Sequence, residues 1–270
     1  MLLWRIGRGA GRGEGVGSMT MDGVVEPAAD VRVEVTHAPT LNFAMEQAGV
    51  PVNTSVRFAN RGTTSLDGLE LLFGVEPALV EPKAHPVGRL RAGESIDLTN
   101  VDLQLRAGRL RSVLEAERAE ITWELRSPKG PLALGRGQIE VLAYNEWAGL
   151  RAPPALLATF VTPNDPVVAS VLRRVRDRLR ATTGDGAITG YQTRSVDRVR
   201  TMVTALYETL QSLGISYIGV PASFENVGQK VRLVDAILRE SLGNCLDVSV
   251  LVASCLEQMG LSPLIAIQKG

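Results

Sequence analysis

The spacing of apolar residues changes once along this chain, and this change limits what it can fold into. From residue 31 to about residue 144, apolar and polar residues alternate; Val31, Val33 and Val35, for example, are separated by Arg32 and Glu34. Strict alternation is typical of strands that bury one face. From residue 166 onwards, apolar residues recur at the spacing of a helix. The pattern therefore predicts a sheet-rich region followed by a mostly helical one.

The first region predicts a β-sandwich. Seven or eight short strands are separated by turn signals such as Asn60-Arg61-Gly62 and Pro128-Lys129-Gly130, which favours an antiparallel sandwich of immunoglobulin-like type. Neither cysteine of the chain lies in this region. An antibody-type disulfide is therefore excluded, but the architecture is not.

Composition divides the chain into four parts. We expect a disordered Gly/Arg-rich tail (1–29), a sandwich (30–144), a polar junction containing prolines (145–165) and a second domain (166–270). The tail fits two interpretations. It is either an arm that attracts nucleic acid, or a flexible extension produced by a start codon placed too far upstream.

The bulk numbers exclude several classes of protein. The chain has 29 basic and 29 acidic residues, so its net charge gives no support for nucleic-acid binding. Two cysteines in 270 residues argue against a disulfide-stapled secreted protein. With no histidine near these thiols, we expect no metal site and no cofactor. The scarcity of cysteines predicts a reducing compartment, the cytoplasm. No apolar run approaches the roughly 18 residues of a membrane helix, so no membrane partner is expected.

In the second region, start and stop signals predict four helices and a strand. Asn164-Asp165-Pro166 begins the first helix, and the second runs from Ser195 to Leu213. A short helix follows at 234–241. The last, at 245–259, is apolar nearly all round and is expected to be buried. An apolar stretch at 261–267 reads as a strand packed on it.

Cys245 is the residue of greatest chemical interest. Gly243-Asn244-Cys245-Leu246-Asp247 opens the last helix, where unpaired N–H groups and the helix dipole favour a reactive thiolate. Gly243 permits a tight entry into the helix, and Asp247 is expected to have a structural, capping role. The alternative interpretation is that Cys245 is a small buried apolar residue.

A cysteine nucleophile of this kind needs a histidine partner. The only histidines, His37 and His85, lie far upstream in the predicted sandwich, where we expect both in surface loops. Gln192 and Gln229 are weak candidates for donors to an oxyanion, with loop hydrogen bonding as the alternative. Cys255 is expected to be a core residue. The arginines at 173–180 either contact phosphates or form a solvated helix face.

The stretch from Gly243 to Asp247, followed by Val250-Leu251-Val252-Ala253 and Gly260-Leu261-Ser262-Pro263, resembles the transglutaminase-like core. The resemblance implies a nucleophilic cysteine at a helix N-terminus, with a histidine and an aspartate supplied by the next two strands. Most members of that family are cysteine proteases, amidases or acyl transferases, and many are degenerate.

A further resemblance covers residues 31–270. Its motifs include Asn145-Glu146-Trp147, Pro163-Asn164-Asp165-Pro166, Gly190-Tyr191-Gln192, Pro221-Ala222-Ser223-Phe224-Glu225 and Gly228-Gln229-Lys230-x-Arg232-Leu233. Together they resemble the N-terminal region of large bacterial proteins that carry a superfamily 1 helicase-like ATPase. The resemblance implies a role in DNA transactions or anti-phage defence. It also implies a Gly-His pair beyond the 261–267 segment, where this sequence ends, and truncation is therefore favoured over degeneration.

Two hypotheses of function follow, from different classes. The first is an accessory or recognition module of a helicase-like bacterial protein, not catalytic as an isolated chain, whose partners are downstream domains or another protein. The second is a cysteine hydrolase or acyl transferase in which Cys245 is the nucleophile and a missing C-terminal segment supplies its histidine and aspartate. A nucleic-acid-binding module that uses the arginine-rich helix is a weaker third reading.

Overall fold

A computed structural model describes residues 19–22, 30–99, 101–219 and 227–267. The described residues form two units. A sheet-rich unit holds 19–22, 30–99, 101–156 and 227–229, and a helical unit holds 157–219 and 230–267. The predicted change from sheet to helix along the chain is thus confirmed at this level.

The sheet-rich unit contains two main sheets. Its elements are β1 (Met19–Asp22), β2 (Val31–His37), β3 (Thr40–Leu41), α1 (Phe43–Ala48), β4 (Asn53–Asn60), β5 (Leu66–Glu76), β6 (Ala84–Leu90), β7 (Ser95–Thr99), α2 (Ala107–Arg111), β8 (Glu117–Ser127), β9 (Gly130–Val141) and β10 (Glu146–Trp147). One sheet has the order β1-β2-β4-β7, and the other has the order β3-β9-β8-β5-β6. Pairing is antiparallel except between β3 and β9.

Each sheet buries one face, as the alternating pattern requires. In β8 the side chains of Ala119, Ile121, Trp123 and Leu125 are all buried, while the residues between them are partly exposed. Trp123 lies opposite Gly135 of β9. A Cβ atom at residue 135 would lie 2.3 Å from the indole ring, so only glycine leaves room for this tryptophan in the core.

Three expectations for this unit are wrong. Residues 19–22, inside the stretch expected to be disordered, form a strand paired with β2; the rest of 1–29 lies outside the described residues. His37 is fully buried rather than at the surface, because it continues the inward alternation of Val31, Val33 and Val35. His85 lies within β6, not in a loop.

The helical unit contains α3 (Pro166–Thr183), α4 (Val196–Ser212), β11 (Ser216–Tyr217), β12 (Gln229–Lys230, whose first residue belongs to the other unit), α5 (Val234–Glu240), β13 (Leu242–Gly243) and α6 (Cys245–Gln258). All four predicted helices are present. Asp165 caps α3 by accepting from the Val167 N–H, with Pro166 in the first turn. The apolar faces of α3, α4, α5 and α6 meet in one core that includes Val175, Leu206 and Leu251.

The strand predicted at 261–267 is not formed. A strand needs a neighbouring strand to which its backbone N–H and C=O groups are hydrogen-bonded, and two residues of this segment do not offer an N–H for that purpose. The Ser262 N–H donates to the Tyr191 hydroxyl at 3.3 Å, and Pro263 has no N–H to offer. The segment 145–165, expected to be a junction, carries β10 and two 3-10 helices, Gly149–Arg151 and Pro154–Phe160.

Candidate functional site

The segment that leads into α6 presents Cys245 by a strand-to-helix turn. β13 runs parallel to β11, with Tyr217 opposite Gly243, and the Ile218 N–H donates to the Gly243 carbonyl at 3.0 Å. Gly243 is buried. A Cβ there would lie 3.3 Å from Val248, so a side chain would crowd the turn into the helix.

A reciprocal capping box starts α6. Asn244 is the N-cap, and its Oδ1 accepts from the Asp247 N–H at 3.0 Å. In return, Oδ2 of Asp247 accepts from the Asn244 N–H at 3.0 Å. Two of the otherwise unpaired N–H groups at the helix start are thereby satisfied.

Cys245 is the first residue of α6, and its free thiol is exposed. The interpretation of Cys245 as a small buried core residue is therefore wrong. Cys255, the other free cysteine, is fully buried, as expected from the sequence. Burial raises the pKa of the Cys255 thiol to about 12, which leaves it protonated and unreactive at neutral pH.

Asp247 is almost fully buried, and both of its carboxylate oxygens are engaged. Oδ1 accepts from the Arg232 N–H at 2.7 Å, and Oδ2 accepts from the Arg232 guanidinium at 3.2 Å as well as from Asn244. Arg232 also pairs with Glu240 at 3.0 Å. This carboxylate therefore joins the start of α6 to the chain before α5, with no described contact to the thiol.

The two glutamines predicted as weak oxyanion donors lie in different settings. Gln192 is exposed, in a turn where its N–H donates to the Thr189 carbonyl at 3.0 Å. Gln229 is buried at the start of β12 and belongs to the sheet-rich unit. No hydrogen bond joins the Gln192 side chain to Cys245 among the described residues, so the oxyanion role of both glutamines stays a prediction.

Neither histidine belongs to the helical unit. Nδ1 of the buried His37 donates to the Ala38 carbonyl at 2.7 Å, because a carbonyl can only accept. Its Nε2 is buried with no partner among the described residues. Burial lowers the pKa of His37, and also lowers that of the half-buried His85. No cluster suited to a metal ion occurs in the described residues.

The sequence motifs include Arg232 and Tyr191 but assign neither residue a role. Arg232 lies four residues after Gly228, and it binds the capping aspartate. Gly190, beside Tyr191, has φ +54°, and a Cβ there would lie 2.8 Å from the Gly260 carbonyl oxygen. The signal was present, since both residues adjoin or belong to quoted motifs, but a motif alone does not say which contact each residue makes.

This chain is similar to some solved structures, but at low TM-scores. No family model matches it, and no curated protein matches it. A structural genomics target solved by X-ray crystallography shares 6% identity at TM-score 0.21, over 46% of this chain and 81% of that one. A candidate late embryogenesis abundant (LEA) protein shares 12% sequence identity at TM-score 0.24, over 47% of this chain and 72% of that one. The candidate ApaA protein from Bordetella pertussis shares 12% sequence identity at TM-score 0.20, over 47% of this chain and 89% of that one. Similarity at these TM-scores carries no argument about fold or function. Within the described residues, no helix is both long and apolar enough to cross a membrane.

Proposed function

We propose that this chain is an accessory recognition module, an immunoglobulin-like sandwich followed by a transglutaminase-like core, in a helicase-like bacterial protein of DNA transactions or phage defence. In this proposal Cys245 is a retained feature of the core and does not catalyse a reaction in this chain. The partners are helicase-like domains of the same polypeptide or another protein.

One observation carries the non-catalytic assignment. The helical unit presents an exposed thiol at a helix start, yet it contains no histidine to take up the thiol proton. The nearby carboxylate, Asp247, is already bound by Asn244 and Arg232. Among the described residues of this unit there is thus no histidine to activate the thiol, and the carboxylate two residues after it is used to hold the fold.

The fold assignments rest on general features. Two sheets that each bury one face suit a sandwich, and Trp123 in the core of one sheet is compatible with that architecture. A short strand that enters a helix bearing an exposed N-terminal cysteine suits a transglutaminase-like core. Both remain proposals.

The test is the rate at which iodoacetamide alkylates Cys245 in the full chain, measured by peptide mass spectrometry. We expect a rate no greater than that of free N-acetylcysteine at the same pH. A Cys245→Ser variant is the control, since it removes the labelled peptide and keeps the exposed position polar. Alkylation much faster than the free thiol at neutral pH would reject a non-catalytic cysteine.

The second candidate is a cysteine hydrolase or acyl transferase, and the exposure of Cys245 is the observation that favours it. Its histidine would come from sequence beyond residue 270 or from another chain. The test is the coding sequence downstream of codon 270, expressed as a longer protein and assayed with an activated ester. No histidine within the next strand or two, or turnover unaffected by Cys245→Ser, would contradict this candidate.

A further inference from the structure

A groove in the helical unit has not been described so far; Ser241 in its lining directly precedes β13. Its volume is about 540 Å³, and it is formed by the first half of α3, the end of α4 and the chain after it, and α5. Apolar side chains in its lining include Val171, Leu213, Ile215 and Leu238. A cavity of this size is within the range of sites for small ligands and short peptide segments.

The charged residues that line the groove are Arg174, Arg239 and Asp235. Asp235 pairs with Arg239 at 2.9 Å, and Arg239 also pairs with Glu240, outside the lining, at 3.4 Å. Arg174 is exposed and, among the described residues, makes no ion pair or hydrogen bond through its side chain. The lining therefore has a net charge of +1, carried by a guanidinium that is free to bind a carboxylate in two-pronged fashion.

Two of the three serine hydroxyls in the lining add a second requirement; Ser241 carries the third. Ser170 donates to the Val167 carbonyl at 2.7 Å, and Ser212 donates to the Thr209 carbonyl at 2.6 Å. Both hydroxyl hydrogens are thus used within their own helices. Their oxygens offer lone pairs toward a ligand, so they accept N–H groups.

We propose that this groove binds the C-terminus of a protein partner that ends in an apolar residue. The last residue of such a partner carries three groups that match the lining. Its carboxylate suits Arg174, its N–H suits a serine oxygen, and its side chain suits the apolar part of the lining. An internal acidic residue would separate its carboxylate from a neighbouring apolar side chain. Capture of a chain terminus by polar groups beside an apolar pocket is a known mode of peptide recognition.

The test is a titration of the full chain with the peptide acetyl-Gly-Ser-Ala-Leu, which bears a free C-terminal carboxylate. Binding is measured in NMR spectra as changes in the chemical shifts of backbone amides. We expect saturable shifts at groove-lining amides with a Kd on the order of millimolar. The same peptide as a C-terminal amide, and the acid with serine in place of leucine, should each bind about fivefold more weakly or worse.

Arg174→Gln should weaken binding of the acid by a similar factor. Arg173→Gln is the matched control, because Arg173 is an exposed neighbour that does not line the groove. Equal binding of acid and amide, equal binding by the two variants, or no localised shifts up to roughly 10 mM peptide would each overturn the proposal. None of these outcomes alters the alkylation rate of Cys245, so the two proposals fail separately.

Discussion

Asp247 and Arg232 are bound to each other twice, once through the backbone and once through the side chain. The Arg232 N–H donates to Oδ1 at 2.7 Å, and its guanidinium donates to Oδ2 at 3.2 Å. Asp247 is 1% exposed, so this pair is held in the interior at the start of α6. The same carboxylate closes the capping box with Asn244. Loss of the carboxylate would therefore disturb both the helix start and the chain before α5.

Substitutions in the capping box test this arrangement. Asn244→Ala should lower the free energy of unfolding by about 1 kcal/mol, the usual cost of losing an N-cap side chain. Asp247→Asn should lower the free energy of unfolding by more, about 2 kcal/mol. This change affects the capping box and also weakens the partly buried hydrogen bond from the Arg232 guanidinium. Urea denaturation measures both. Glu257→Gln, at an exposed site of the same helix, is the control; an equal loss there would show that the box is not the cause.

Gly135→Ala should destabilise the sheet-rich unit by about 2–3 kcal/mol, since the added methyl overlaps the Trp123 ring and the core must shift. Near-ultraviolet circular dichroism should report a changed tryptophan environment. Gly108→Ala is the matched control, because Gly108 is exposed in α2 and has no heavy atom within 4 Å of the added carbon. Unchanged stability of Gly135→Ala would contradict the described packing.

Gly190 is constrained both by its backbone angle and by the close carbonyl of Gly260. Gly190→Ala should therefore cost more stability than Gly214→Ala. Both glycines have positive φ, +54° and +65°, but only Gly190 has a neighbour that a Cβ would strike. We expect about 1–2 kcal/mol for the strained angle alone, with a larger loss at Gly190. Thermal unfolding of the two variants gives the comparison, and equal losses would exclude the steric contribution.

His37 should make stability depend on pH. Its pKa is lowered in the folded chain because burial disfavours the charged imidazolium. The unfolded chain then binds more protons below about pH 6.5, and the free energy of unfolding falls as pH decreases through that value toward the folded pKa. In His37→Asn this part of the slope should be reduced. His85→Asn, at a less buried site, should reduce it less; identical profiles for wild type and His37→Asn would refute the assignment.

The two thiols should react at different stages of unfolding. Cys245 is exposed and Cys255 is buried, so Ellman's reagent should titrate one thiol in the native chain and both in urea. The raised pKa of Cys255, about 12, adds to its protection. Two thiols titrated rapidly under native conditions would mean that the core around Cys255 opens readily.

Local patterns were enough to predict much of the secondary structure. The helix start at Asp165-Pro166, the strand from Ala119 to Leu125 and the burial of Cys255 depend on neighbouring residues in the chain, and all are found. Capping by Asp247 was predicted because it lies in the first turn of the helix, and it is found as one half of a capping box with Asn244. The prediction of a strand at 261–267 was wrong, because an apolar run forms a strand only when another strand pairs with it.

The candidate site shows where such patterns stop. Sequence placed Cys245 at a helix start, but its exposure depends on how α6 packs against the helices of its unit. The bond from Arg232 to Asp247 joins residues 15 apart, and the inward position of His37 depends on which face of β2 meets the core. The spacing of apolar residues and the helix caps depend on residues close together in the chain, so the sequence by itself determined them. Exposure, the use of the Asp247 carboxylate and the groove beside Arg174 depend on distances between segments, which only the tertiary structure decided.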